Sequence, residues 1–283
     1  MPTVSVIIPT FNRENLIKRA LDSVYSQTLQ PKEVIVIDDG SSDNTRLAVT
    51  DNFPNATYLF QPNAGVSAAR NHGIRYACSE WLAFLDSDDE WAAEKLEKQL
   101  AVIDCKAGVK IIHTDEIWIR NGKRVNPMCK HRKPDGSIFE QCLPLCAISP
   151  SSVIIHRTLF DEIGLFDVNL PACEDYDMWL RICSRHPVHL VDEQLTIKYG
   201  GHGDQLSKKY WGMDRFRIAS LMNIIESRTL TDKQSSAAIE VLMKKIDIYL
   251  TGAEKRNKWH EIEYYRNMKN KILAHSHADT DHQ

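Results

Sequence analysis

Trp81-Leu82-Ala83-Phe84-Leu85-Asp86-Ser87-Asp88-Asp89 runs from five apolar residues straight into three carboxylates. A short apolar run of this kind reads as a buried strand. Its exit delivers negative charge to the rim of a sheet, where carboxylates so close repel one another unless something positive joins them. Oxygen ligands of this type suit a hard divalent cation, Mn2+ or Mg2+, that keeps positions open for water and phosphate oxygens. An isolated D-x-D is more often a solvated acidic turn. Three further motifs at neighbouring strand ends set this one apart.

The segments on either side alternate strand and helix. Val4 to Ile8 is an apolar run closed by Pro9, followed by a helical stretch from about Glu14 to Gln27 with Leu16, Ile17, Ala20, Leu21, Val24 and Tyr25 on one face. Glu33 to Ile37 predicts a second strand ending in Asp38-Asp39-Gly40, and Ser42 or Asp43 caps the next helix. Thr57 to Phe60 reads as a strand, Val66 to Ala77 and Ala92 to Ile103 as helices, and Val109 to His113 as a fifth strand. Near-continuous apolar strands joined by helices predict an α/β fold whose mostly parallel sheet is covered on both faces. Ligands bind such sheets at the carboxyl ends of the strands, where Pro9, Asp39 and Asp86 fall.

Residues 121 to 150, rich in Pro and Gly, read as irregular. Strand signals return at Ser152 to His156, at 188 to 192 and at 194 to 199, with a helix from Glu174 to Ser184. Beyond 213 the pattern is purely helical: Phe216, Ile218, Leu221 and Ile225 form one stripe, Ala238, Leu242, Ile246 and Tyr249 a second, and Trp259, Ile262 and Ile272 mark a third helix. The organisation is thus a main domain over 1–212, a helical region over 213–275 and a disordered tail over 276–283.

The chain has 283 residues, 43% of them hydrophobic, and a formal net charge of −3, which argues against a nucleic-acid partner held by bulk electrostatics. Its seven cysteines form no C-x-x-C pair, so zinc-ribbon and thioredoxin readings have no support and reduced core thiols are the simpler expectation. Met1-Pro2-Thr3-Val4 enters a strand at once, without a leader pattern, and no apolar run approaches the ~18 residues of a membrane span. The expectation is a soluble, cytoplasmic protein. The basic residues Lys244, Lys245, Lys255, Arg256 and Lys258 leave room for peripheral contact with the inner face of the cell membrane, and a solvated helix face accounts for them equally well.

Asp38-Asp39-Gly40-Ser41-Ser42-Asp43 offers a carboxylate to a ribose or base edge. The G-x-G-x-x-G that a dinucleotide-binding fold needs after its first strand is replaced here by Pro9-Thr10-Phe11-Asn12-Arg13. No G-x-x-x-x-G-K-[ST] phosphate loop exists either. Together with Asn63-Ala64-Gly65-Val66-Ser67-Ala68-Ala69-Arg70-Asn71 and Leu85-Asp86-Ser87-Asp88-Asp89, these motifs closely resemble the family 2 glycosyltransferases, inverting enzymes of the GT-A fold. Glu174-Asp175-Tyr176-Asp177-Met178-Trp179-Leu180-Arg181 resembles the family's E-D segment and carries the likeness to about residue 200.

The resemblance implies a nucleoside-diphosphate sugar donor, UDP-linked first of all, and a glycan or lipid-linked glycan acceptor. Asp39 would contact the nucleobase with Pro9 and Thr10 lining the pocket and Asp38 in support. Asn12, Arg13, Asn63 and Ser87 would border the donor, Arg70 would stand near its base or phosphates, and Asp86 would face the ribose. Mn2+ or Mg2+ would sit on Asp88, with Asp86 and His202 as further ligands, and stabilise charge on the leaving diphosphate. Asp175 would be the base that deprotonates the acceptor, made more basic by Glu174 and Asp177. Trp91, Trp179 and Trp211 could stack on sugars, with core packing the default. No Q-x-x-R-W follows the E-D motif, so single-sugar addition fits better than processive synthesis. A sugar nucleotidyltransferase would want a Gly-rich basic loop after the first strand, and that loop is missing. A non-catalytic binding member would lack Asp88 or the E-D pair, and both are intact.

Overall fold

The structure, a computed structural model, describes residues 2–106, 108–126, 128–201 and 209–278. The chain divides into two compact units, Met1–Gln205 and Leu206–Gln283.

The first unit is built on a sheet whose strands are β1 (Val4–Thr10), β2 (Glu33–Asp38), β3 (Thr57–Phe60), β4 (Trp81–Phe84), β5 (Glu90–Trp91), β6 (Ile111–Arg120), β7 (Lys123–Val125), β8 (Val153–His156) and β9 (His189–Gly200). Their order is β3-β2-β1-β4-β8-β6-β9-β5, with β7 paired to β6. The helices are α1 (Ile17–Tyr25), α2 (Thr45–Thr50), α3 (Val66–Tyr76), α4 (Lys95–Cys105), α5 (Phe139–Cys142), α6 (Thr158–Ile163) and α7 (Glu174–Cys183). β3, β2, β1 and β4 are parallel, as their unbroken apolar runs predict. The rest of the sheet is mixed, because β8 enters antiparallel to both β4 and β6. The two segments expected at 188 to 192 and 194 to 199 form one strand, β9, running parallel to β6. Register shifts at Thr114, Asp115 and Glu116 interrupt that pairing, which is why the sequence reads as two pieces.

One face of the parallel part is closed by α1, whose Ile17, Leu21 and Val24 pack with Val4, Val6 and Ile8 of β1. On the other face α3 lies so close that a Cβ at Gly73 would stand 2.4 Å from Cγ2 of Ile7. Only glycine allows that approach. Both layers hold the carboxyl ends of β1, β2 and β4 in one row, which is the row of motifs found in the sequence.

The second unit contains α8 (Asp214–Glu226), α9 (Asp232–Glu254) and α10 (Trp259–Ala278). Thr231 and Gln234 form a capping box at the start of α9, and Ile218, Leu221, Ala238, Leu242, Ile246, Tyr249 and Ile262 are buried. Ile224, not Ile225, completes the α8 stripe. Trp259, one of the residues that marked the third helix, is 68% exposed. α10 continues past His275, where the sequence reading placed the start of a tail, and residues 279–283 lie outside the described residues.

Candidate active site

Asp38 ends β2 and turns inward: its Oδ1 accepts the Ser41 N–H at 2.7 Å, and its Oδ2 accepts the Tyr58 hydroxyl. Asp39, the next residue, organises the loop before α3. Its Oδ1 accepts Gln61 Nε2 at 2.7 Å and Ala64 N at 2.9 Å, and its Oδ2 accepts Gly65 N at 2.8 Å. Asn63 returns a bond from Nδ2 to the Asp39 carbonyl at 2.8 Å. Gly40 lies between them at φ +87°, where an added Cβ would meet Asn63 N at 2.7 Å, so the two motifs interlock through a position that takes only glycine. Asp39 therefore keeps little beyond one lone-pair direction for a base edge.

Across from that loop, Asn12 adopts φ +51° and its Oδ1 accepts Ser42 N at 2.8 Å. Pro9 and Thr10 are buried, with Thr10 Oγ1 unpartnered among the described residues, whereas the neighbouring Phe11 is exposed. The sequence reading assigned Phe11 no part.

Arg70 is neither a helix-surface ion pair nor a free guanidinium. Only 3% exposed, it bonds Asp86 Oδ1 through Nη2 at 2.7 Å and Glu174 Oε1 through Nη1 at 2.6 Å. The two carboxylates hold its proton more tightly than usual, although burial works the other way. One helix, α3, thus ties the D-x-D loop to the E-D segment, through a bond between Arg70 and Glu174 that spans 104 residues of sequence.

Ser151 completes the loop: its Oγ donates to Asp89 Oδ2 at 2.6 Å and accepts the Asp86 N–H at 3.1 Å. Tyr199 N donates to Asp89 Oδ1 at 3.1 Å. Burial pushes the Asp89 carboxyl up to about 8, helped by Asp86 and Asp88 and opposed by Lys198. Asp89 is structural, locking the loop against β9. Asp88 differs, since no other residue donates a hydrogen bond to its carboxylate among the described residues, while Arg19 bonds its carbonyl. Burial and the charge of Asp86 raise its pKa against the pull of Arg13 and Lys198. Ser87 is buried beside it.

The oxygens left to a cation are those of Asp88 and the second oxygen of Asp86, a hard-donor set that fits Mg2+ or Mn2+ with solvent and phosphate oxygens filling the sphere. Among the described residues no cluster of three or more His, Cys, Asp or Glu is gathered that could hold a metal ion. His202 lies outside the described residues.

At the start of α7, Glu174 is spent on Arg70 and Asp177 on Arg181, whose Nε is 2.8 Å away. The like-charge push expected from both onto Asp175 is thereby answered by two guanidinium groups. Asp175 alone of the three keeps partial exposure, and among the described residues it has no ion pair. Its Oδ1 accepts Tyr176 N at 2.7 Å, and Cys146 Sγ lies 3.2 Å from its Oδ2.

Sequence reading missed a polar wall beside these groups. Glu116 of β6 is buried, paired with Lys133 at 3.0 Å, and accepts hydrogen bonds from Ser149 and from Trp118 Nε1. Burial would raise its pKa, but Lys133, Lys198 and those donors bring it down to about 2. Lys198 of β9 is half-buried; burial would strip its proton, yet Asp89, Glu116, Asp86 and Asp175 hold it well above the usual lysine range. A glutamate inside an apolar strand and a lysine near the end of another were the available signals. Trp91 and Trp179 are core residues, and Trp211 stacks on Tyr249 in the helical unit.

A wound α/β sheet with interlocked acidic strand ends and a second acidic helix start is the architecture of a GT-A nucleotide-sugar transferase. The chain belongs to glycosyl transferase family 2, whose model matches residues 5–163. WfgD of Escherichia coli, a UDP-Glc:alpha-D-GlcNAc-diphosphoundecaprenol beta-1,3-glucosyltransferase, is 33% identical over 192 residues, covering 67% of this chain and 73% of that protein. An uncharacterized glycosyltransferase of Rickettsia felis is 32% identical over 220 residues, 74% of this chain; the match spans 36% of that relative's length. Among solved structures, Staphylococcus aureus TarS 1–349 in complex with UDP-GlcNAc aligns with a TM-score of 0.65 at 20% identity, over 96% of this chain and 92% of that one. The mannosyltransferase PcManGT of Pyrobaculum calidifontis, in complex with GDP-Man and Mn2+, aligns at 0.63 and 16% identity over 96% and 84%. No helix among the described residues is long and apolar enough to cross a membrane.

Proposed function

We propose that the protein is an inverting, metal-dependent glycosyltransferase that moves one sugar from a UDP-sugar to an acceptor hydroxyl of a growing, lipid-linked cell-surface glycan. The observation that carries this reading is the division of labour at the start of α7. Glu174 is neutralised by Arg70 and Asp177 by Arg181, leaving Asp175 partly exposed and, among the described residues, without an ion pair. A base needs access to the acceptor and a carboxylate not already held by a cation.

Asp39 orients the loop that receives the base, with Pro9, Thr10, Asn12 and Asn63 around it. Arg70 sets the spacing between Asp86 on the donor side and Asp175 on the acceptor side by gripping Asp86 and the neighbouring Glu174. Asp88 and Asp86, with His202 a further proposed ligand, would hold the cation, which when bound supplies Lewis-acid stabilisation of the leaving diphosphate. Asp175 then takes the acceptor hydroxyl's proton as that oxygen bonds to the anomeric carbon opposite the leaving group; the bond from that carbon to the nucleoside diphosphate breaks, and the centre is inverted. WfgD's UDP-glucose and polyprenyl diphosphate-linked acceptor, and the UDP-GlcNAc bound to TarS, support the donor and acceptor classes proposed here. Exposed Trp259 and Tyr264 beside Lys255, Arg256 and Lys258 support a peripheral membrane contact for the helical unit, which salt-sensitive binding to anionic liposomes tests.

The deciding experiment is a thermal-shift panel of UDP, GDP, dTDP and CMP with and without Mn2+, on wild type and Asp88→Ala. At ~100 times its Kd a ligand adds about 2.7 kcal/mol. A Mn2+-dependent rise with UDP that disappears in Asp88→Ala supports the reading, and no rise with any nucleotide refutes it.

A further inference from the structure

We infer that Cys146 is a positioning residue for the proposed base: its thiol orients the Asp175 carboxylate through a weak, divertible hydrogen bond. The inference rests on the base assignment made above.

The geometry is one S–H proton between two acceptors. Cys146 Sγ stands 3.2 Å from Asp175 Oδ2 and 3.1 Å from the carbonyl oxygen of Ile148. The other carboxylate oxygen is fixed by the adjacent Tyr176 N–H at 2.7 Å. Both oxygens are therefore oriented, but among the described residues neither meets a charged donor. The charged and titratable groups around the pair are Glu174 on the same helix, Lys198 on β9, and Lys133 and Cys142 on the Cys146 side. Burial and the charge of Asp175 hold the thiol well above its usual pKa, so sulfur remains a donor rather than a competing anion.

A thiol is a poor donor, and this is what the position requires. A hydrogen bond to a carboxylate stabilises the charged form and lowers its proton affinity, by an amount that grows with donor strength. A hydroxyl in this place would bind the carboxylate tightly and make it a weaker base. The thiol holds the carboxylate in place while it is charged. When Asp175 takes the acceptor proton, the S–H can turn to the Ile148 carbonyl, so protonating the base strands no buried donor. Cys146 lies in the irregular stretch between β7 and β8, where the sequence showed no motif.

The test reads the S–H stretching band, which lies in a window free of other protein absorption, in infrared difference spectra of the full chain. The expected result is one band that vanishes in Cys146→Ser, shifts in Asp175→Asn, and moves in wild type as falling pH protonates Asp175. In parallel, Mn2+-dependent UDP release from UDP-glucose, with water as acceptor, is followed against pH. Cys146→Ser should move the acid limb to lower pH by about one unit with a reduced plateau, and Cys146→Ala should move it the other way. A band indifferent to Asp175→Asn overturns the inference. So does an acid limb unmoved in both cysteine variants while Asp175→Asn abolishes turnover, a result that leaves the base assignment standing. Undiminished turnover in Asp175→Asn removes the base assignment and this inference with it.

Discussion

Arg70→Met separates a structural tie from a surface charge. Arg70 makes two charge-assisted bonds, to Asp86 at 2.7 Å and Glu174 at 2.6 Å, and is 3% exposed. Removing one partner of a buried ion pair costs about 3–5 kcal/mol, because the remaining charge is left unsatisfied. For a chain of this size that is a fall in Tm on the order of 10 °C. The deficit must also depend on pH. Burial and Asp175 already raise the pKa of Glu174, with Arg70 opposing them. Without Arg70 it rises further, so the folded state of the variant binds more protons than the unfolded chain. A folded-state pKa above the unfolded value means stability falls as pH rises through it. The deficit should be smaller near about pH 5 than near about pH 8, and Arg70→Met/Glu174→Gln should recover much of it. Thermal unfolding of wild type and both variants at the two pH values is the assay. A fall of less than about 2 °C, or an equal deficit at both pH values, refutes the reasoning.

Glu116 gives the opposite pH dependence. Its folded-state pKa is brought down to about 2, so its contribution is present above the unfolded carboxylate range and is lost as pH falls from about 5 towards 2; Glu116→Gln should flatten the stability curve across that window. Asp88→Asn removes a half-buried charge that burial and Asp86 disfavour, and should leave stability equal or about 1 kcal/mol higher while abolishing Mn2+-dependent nucleotide binding in calorimetry. Gly73→Ala places a Cβ 2.4 Å from Ile7 Cγ2 and should cost about 1–3 kcal/mol in denaturant midpoint, with the helix pushed off β1.

The parallel half of the sheet was legible because each of its strands is a short apolar run ending in Pro, Asp or Gly, and local pattern is all such strands need. The motif residues at those ends fall together in the fold for the same reason. What pattern could not show was partnership. Nothing near Arg70 in sequence announces Glu174, and nothing near Asp39 shows that its carboxylate is taken up by Gln61, Ala64 and Gly65. The mixed half was harder because β8 runs against both neighbours and the β6–β9 pairing slips at Glu116, which breaks the period that marks a strand. The pairings of Glu116 with Lys133 and Ser149, and of Ser151 with Asp89, join distant segments, and such networks are assembled by tertiary contacts alone.

The strand order also bears on how this protein stays out of aggregates. A sheet presents unpaired backbone groups at its outermost strands, which can recruit a strand from another molecule. Here the outermost positions are held by the four-residue β3 and the two-residue β5, shorter than the interior strands β1, β2, β6 and β9. β3 is followed almost at once by Pro62, which has no N–H to offer, and β5 carries Glu90. The long apolar strands are all interior. The sheet thus places short strands where another molecule could attach.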